Sequence, residues 1–133
     1  MSAQQGSTLG VLSFVSSTNL SATTNVGKLV VASATEGMIE LANATADEPV
    51  GVLQNMPPDQ TAAQVTGVSG AIYEVVSDGS GTSIAIGDWL GVDSSARVVK
   101  AETDNYIVVG QALQGSQTAN LKIEVQWHGA RRY

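Results

Sequence analysis

The chain has 133 residues, with 12 Asp and Glu against 6 Lys and Arg, a net charge of −6 and a pI near 4.4. That length holds one domain with a modest core, and the acidic balance repels a phosphate backbone rather than neutralising it, which disfavours nucleic acid as a partner. The absence of cysteine excludes disulfides and thiolate metal sites, and a charged fraction of only 14% leaves hydroxyls, amides and small apolar groups to make the surface.

Residues 1–8 are polar, Gln-rich and contain glycine, so they have little to bury and read as a flexible N-terminal arm before a single β domain over 9–133. Met1–Ser7 carries no Lys or Arg, and Leu9–Val15 is too short and interrupted for a signal sequence or membrane span. The expectation is synthesis in a cytoplasm and no membrane partner. Val11–Val15 reads as a short strand, and Ser16–Asn25 as a loop whose Ser, Thr and Asn side chains bond their own backbone.

Lys28–Ala34 is a near-continuous apolar run of strand type, and Met38–Ala42 alternates with period two. Val50–Gln54 continues as a strand until Pro57-Pro58-Asp59, where neither proline can donate to a ladder. Ala63–Val68 and Ala71–Ser77 are two further strands around Ser69-Gly70, with one short helix candidate at Thr61–Gln64. Asp78–Ser83 reads as a flexible loop, and Ile84–Ile86 leads from it to Gly87-Asp88. Trp89–Val92 and Arg97–Lys100 flank Asp93–Ala96 as a hairpin, and Tyr106–Leu113 and Leu121–Trp127 complete the set.

Short strands at regular spacing, with no long segment of helical periodicity, predict an all-β fold, a small β-barrel or β-sandwich. On the last strand the alternation puts Leu121, Ile123, Val125 and Trp127 on one face and Lys122, Glu124 and Gln126 on the other. There is also an internal echo. Val50-Gly51, Thr61-Ala62 and Gly70 recur as Val109-Gly110, Thr118-Ala119 and Gly129, which fits either a duplicated strand-loop-strand unit or convergence.

The residues that could carry chemistry are few. His128 is the sole histidine and has no partner nominated by spacing. Asp78-Gly79-Ser80 has the letters of an aspartic-protease loop in the wrong order and reads as a turn, and Asp78, Ser80 and Thr82 offer calcium one carboxylate where a calcium loop supplies several. Gly79 and Gly81 precede neither Lys-Ser/Thr nor a helix, so they form no phosphate cradle. Asn19-Leu20-Ser21 and Asn43-Ala44-Thr45 match the glycosylation sequon by chance in a Ser/Thr-rich chain. Trp89, Trp127, Tyr73, Tyr106 and Tyr133 are scattered over separate segments, as core and interface anchors are. No enzyme activity and no cofactor are expected.

Five words stand in a recurring order: Pro49–Asn55 (PVGVLQN), Val65–Gly70 (VTGVSG), Gly87–Leu90 (GDWL), Asp93–Arg97 (DSSAR) and Val109–Leu113 (VGQAL). In this the chain resembles the small capsid cement, or head decoration, proteins of tailed bacteriophages, over roughly Glu36 to Val125. It departs from them at Ala96, where they carry Gly before the hairpin Arg, which puts a positive-φ turn in doubt. Asp78–Ser83 is also longer than their connection.

The resemblance implies a virion protein on the capsid exterior whose partners are the major capsid protein and neighbouring copies of itself, as a homotrimer at a local threefold position. The expected contacts are Ser2, Gln4, Gln5 and Thr8 on the arm, Trp127 as an anchor of either the core edge or a subunit contact, and Arg131, Arg132 and Tyr133 reaching an acidic neighbour. The alternatives are a virion-displayed carbohydrate-binding or adhesin module and, third, a small β-barrel hydrolase subunit.

Overall fold

A computed structural model describes residues 11–102 and 107–132. The described residues form ten strands: β1 (Val11–Ser16), β2 (Leu29–Ala32), β3 (Met38–Leu41), β4 (Gly51–Leu53), β5 (Ala62–Thr66), β6 (Ile72–Asp78), β7 (Trp89–Val92), β8 (Val98–Lys100), β9 (Ile107–Ala112) and β10 (Ala119–Arg132). They close into two barrels, one from the first five strands and one from the last five, so the fold is all-β as expected. Thr23–Asn25 makes a single 3-10 turn.

The barrels repeat one topology. Around the first the order is β1-β3-β2-β4-β5, and around the second it is β6-β8-β7-β9-β10. In both, the first and third strands run parallel (Val15 opposite Met38; Ser77 opposite Val98) and every other neighbour is antiparallel.

Details finer than topology recur as well. The described residues with positive φ fall into four pairs 59 or 60 positions apart: Gly27 and Gly87, Gly37 and Ala96, Gln60 and Asn120, Gly70 and Gly129. Buried Ser16 donates to the Pro58 carbonyl (2.5 Å), and its counterpart Ser77 donates to the Leu121 carbonyl (2.6 Å), each tying its first strand to the stretch around the start of its last. At Gly51 a Cβ would stand 2.5 Å from the Thr66 carbonyl oxygen, and at Gly110 it would overlap the Gln126 carbonyl oxygen. The echo seen in the sequence is a structural repeat of about sixty residues, with Gly51 and Gly110 at the same crossing.

The two repeats share apolar interior. Val30 faces the first barrel with Ile39, Leu53 and Val65, whereas its neighbour Leu29 packs with Val52 and Ala42 into the cluster of the second barrel. Burial on both faces explains why β2 reads as a continuous apolar run instead of alternating. Two backbone hydrogen bonds bridge the repeats at the same place, Val76 N–H to Gly27 O (2.9 Å) and Leu29 N–H to Ala96 O (2.8 Å).

Some expectations fail for local reasons. Thr61–Gln64 is not helical, because Ala62–Gln64 belong to β5 and Ala63 and Val65 are buried with a period of two. Between the Asp78–Ser83 loop and Gly87, Ile84 bridges to Ser116 and is buried, whereas Ile86 is 73% exposed. Leu121 keeps the register of Ile123 and Val125 but not their burial: it is 44% exposed at the first regular pair after the shift between Ala119 and Leu121, where Asn120 has φ 62°. Ala96 does use the positive φ that its replacement of glycine put in doubt, at 63°. Gly79, expected in a flexible loop, is buried against the Ser116 backbone, and the open glycine of that loop is Gly81.

Candidate interaction surface

The polar residues singled out in the sequence are engaged in holding turns. Asp78 Oδ1 accepts from the Ser80 hydroxyl (2.6 Å) and the Ser80 N–H (3.0 Å). Arg97 binds Asp78 Oδ2 through Nη2 (3.1 Å), Asp93 Oδ2 through Nε (2.9 Å) and Asn120 Oδ1 through Nη1 (3.2 Å). The hydrogen bonds from Ser80, helped by the Arg97 charge, hold the Asp78 carboxyl below its ordinary value of 3.8. This network ties the end of β6 to the β7–β8 turn and the start of β10. Among the described residues no group of three His, Cys, Asp or Glu could hold a metal.

Two clefts lie beside it. One of about 280 Å³ is lined by Asp78, Asp93, Glu102 and Lys100, and one of about 380 Å³, by the junction of the repeats, is lined by Lys28, Lys122, Thr24, Val76 and Asn120.

The aromatic residues separate by burial. Trp127 is 1% exposed in the core of the second barrel, which places its indole in the core of this chain. Tyr73 accepts the Val68 N–H on its hydroxyl (2.9 Å). Trp89 is 43% exposed, with its ring 5.4 Å from that of His128 at 59°. His128 Nε2 is buried and has no hydrogen-bond partner.

Trp89 belongs to a row that crosses four strands. It lies opposite Gln111, Gln111 lies opposite Gln126, and Gln126 lies opposite Ile72. Strand alternation puts these four on the outer face of the second barrel, where Ile72 is 56% exposed, and Ile86, 73% exposed, stands three residues before Trp89. Gln111 Nε2 donates to Gly87 O (2.9 Å), which fixes one amide of the row against the turn before β7. An outer sheet face carrying tryptophan, isoleucine and two glutamines is suited to binding a partner surface and has no reactive group.

Of the contacts expected from sequence, Ser2, Gln4, Gln5, Thr8 and Tyr133 lie outside the described residues. Arg131 and Arg132 end β10, their backbone opposite Val108 and Ile107. Trp89 is not among those expected contacts; the sequence reads it, with the other aromatics, as a core or interface anchor. Strand pairing aligns it with Leu29, for Leu29 lies opposite Val52 as Trp89 lies opposite Gln111.

No protein-family model matches the sequence. No curated protein matches it either. Solved structures do match: the head fiber gp8.5 N base in bacteriophage phi29 superposes with a TM-score of 0.66 at 20% identity, covering 92% of this chain and 98% of that one. The chain shares its fold with a phage head-fiber base. At this identity the likeness is one of fold, and a share of 92% takes in both barrels.

Proposed function

We propose that this chain is a phage-head protein that binds the outer surface of the assembled shell and stabilises capsomer junctions. The observation that carries this reading is the fold match to a head-fiber base over nearly all of both chains, together with the order of the five sequence words. The role is mechanical: a folded β unit spans a junction between shell subunits, and parting those subunits then requires breaking its contacts with each. Because the shell repeats the site many times, modest contact energies are multiplied. A surface with 14% charged residues leaves few ions to desolvate at such an interface.

The partners in this reading are the major capsid protein and neighbouring copies of the chain, three around a local threefold position. Residues 2–8 and the terminal Arg131, Arg132 and Tyr133 supply shell contacts, the arm as an added strand and the arginines as partners for acidic groups. Mixing purified protein with expanded heads that lack decoration tests this directly. Co-sedimentation, with added density over capsomer junctions, is the expected result, and deletion of residues 2–8 weakens it. Protein that stays in the supernatant at saturating concentration refutes the reading.

One observation favours a second reading, a carbohydrate-binding or adhesin module on the virion. The half-exposed Trp89 is flanked by Gln111 along its row, an arrangement that stacks a sugar ring and bonds its hydroxyls. Since Trp127 is buried, quenching of tryptophan emission by host glycans reports Trp89 alone.

A further inference from the structure

The first repeat is attached to the second by one face, and the second repeat carries the same face again. On the first, Gly27 O accepts the Val76 N–H, Leu29 N–H donates to Ala96 O, and the Leu29 and Val52 side chains are fully buried. The counterparts sixty or fifty-nine residues on are Gly87, at the same φ of 92°, then Trp89 and Gln111. The correspondence extends to the ladder, since Gly27 N–H donates to Leu53 O and Gly87 N–H to Ala112 O, both at 2.8 Å. Where Leu29 and Val52 are fully buried, Trp89 is 43% exposed and Gln111 partly exposed.

We propose that the Trp89 face docks a second copy of this chain, seated at the β1–β3 corner of that copy's first repeat. The occupant follows from the internal interface. The corner that receives Leu29 in this chain is built from β6 and the turn before β8, with Ala96 at its lip; the equivalent corner of the first repeat is built from β1 and the turn before β3, with Gly37 in place of Ala96. Leu29 meets Ala96 within the chain, and between copies Trp89 meets Gly37, whose lack of a side chain leaves the backbone of that turn bare.

Gly37 has room to receive it, for a Cβ placed there would meet nothing within 4 Å. The two corners differ in one respect that sets the depth of docking. In the second repeat Gly27–Leu29 enters between the parallel strands, which pair only at Ser77 and Val98. In the first repeat Val15 N–H already binds Gly37 O (3.0 Å), with pairs at Val15–Met38 and Ser16–Ile39. The slot is closed, and Trp89 of the neighbour therefore lies on the bare Gly37 backbone from outside instead of threading it.

Charge borders both surfaces. Lys100, the counterpart of Leu41, lies opposite Leu90 and is ion-paired with Asp88 (3.9 Å) with its side chain 41% exposed, and exposed Glu36 borders Gly37. The surface given and the surface received differ, so copies add head to tail, in a ring where the rotation closes and in a chain where it does not. This deepens the self-association within the function proposed above and rests on that reading for its partner, but it makes no use of the shell.

The test uses the full chain in solution. Because it contains no cysteine, an Ile86→Cys, Glu36→Cys protein can cross-link only at introduced thiols. Oxidation is expected to yield dimers and larger species, and Ile86→Cys alone to yield none. Sedimentation at up to about 1 mM, the weak end of measurable affinity, is expected to show self-association that Trp89→Glu abolishes and Glu36→Arg weakens roughly tenfold. Both sites are exposed, so thermal midpoints should stay unchanged, and Glu36→Arg alone decides the matter if Trp89→Glu does not fold. A wild-type monomer at that concentration, linking through Ile86→Cys alone, or unaltered association in the folded variants overturns the proposal. Self-association without binding to heads overturns the shell reading and leaves this one standing; binding to heads by a strict monomer does the reverse.

Discussion

Gly37 and Ala96 occupy the same turn in the two barrels, at φ of 79° and 63°, yet Gly37 is open to solvent and Ala96 is fully buried. The carbonyl of Ala96 accepts the Leu29 N–H, so the turn that an ordinary side chain disfavours is clamped by the other repeat. An L-residue in this region costs about 1–2 kcal/mol relative to glycine. The same packing buries the alanine methyl and so offsets about 0.8 kcal/mol of that cost.

Replacing Ala96 separates these contributions. Ala96→Gly relieves the backbone but loses the buried methyl and frees the unfolded chain, by amounts of similar size, so stability should change by less than about 1 kcal/mol. Ala96→Val adds bulk at a site with no exposed surface and puts a β-branched residue at positive φ, for an expected loss of about 2–4 kcal/mol. Urea unfolding of both proteins checks the pair. A valine variant as stable as the parent would contradict the buried, left-handed turn.

At the repeated crossing, Gly51→Ala and Gly110→Ala should each destabilise by roughly 2–4 kcal/mol, since the obstacle in both is a carbonyl of the facing strand and cannot swing aside. Gly81→Ala is the control. It has open space around it and no positive φ, so a change of at most a few tenths of a kcal/mol, or a slight gain, is expected from thermal unfolding.

Asp78 gives a pH dependence of known sign. Its carboxyl titrates lower in the fold than its ordinary 3.8, chiefly through the Ser80 hydroxyl and N–H, with Arg97 contributing. The ionised form is thus favoured by folding, and the stability it adds is complete above that ordinary value and lost as pH falls through the lowered one. Asp78→Asn should therefore flatten part of the acid limb of a stability profile below about pH 4 and leave the profile's shape near neutrality intact. Carbon-detected NMR titration of the Asp78 carboxyl gives the midpoint directly; a value at or above 3.8 would contradict the hydrogen-bond network.

The two tryptophans should separate cleanly. Trp127→Ala opens a cavity in the core of the second barrel and is expected to cost about 3–5 kcal/mol, with loss of near-ultraviolet dichroism. Trp89→Ala should leave the fold intact and remove most of the emission that aqueous quenchers reach. Equal quencher access for both residues in the folded parent would disagree with this assignment.

Sequence alone determined the all-β class, most strand positions and the β7–β8 hairpin, because these depend on local alternation, turn residues and prolines that act within a few positions. Leu90 to Val92 and Val98 to Lys100 pair as the pattern implies, since Asp93 Oδ1 caps the N–H groups of Ser95 and Arg97 within the turn itself. The echo around Gly51 and Gly110 was legible too, with duplication and convergence left as its two readings. Tertiary structure decided that β5 and β6, neighbours across Ser69-Gly70, belong to different barrels. It decided that Trp127 is core while Trp89 is surface, and that Ala96 holds a glycine's conformation. Each of these turns on the packing of one repeat against the other. The partner atoms at that junction are more than forty residues apart in the chain, as Leu29 and Ala96 are, so no local pattern records which side of a strand another repeat will cover.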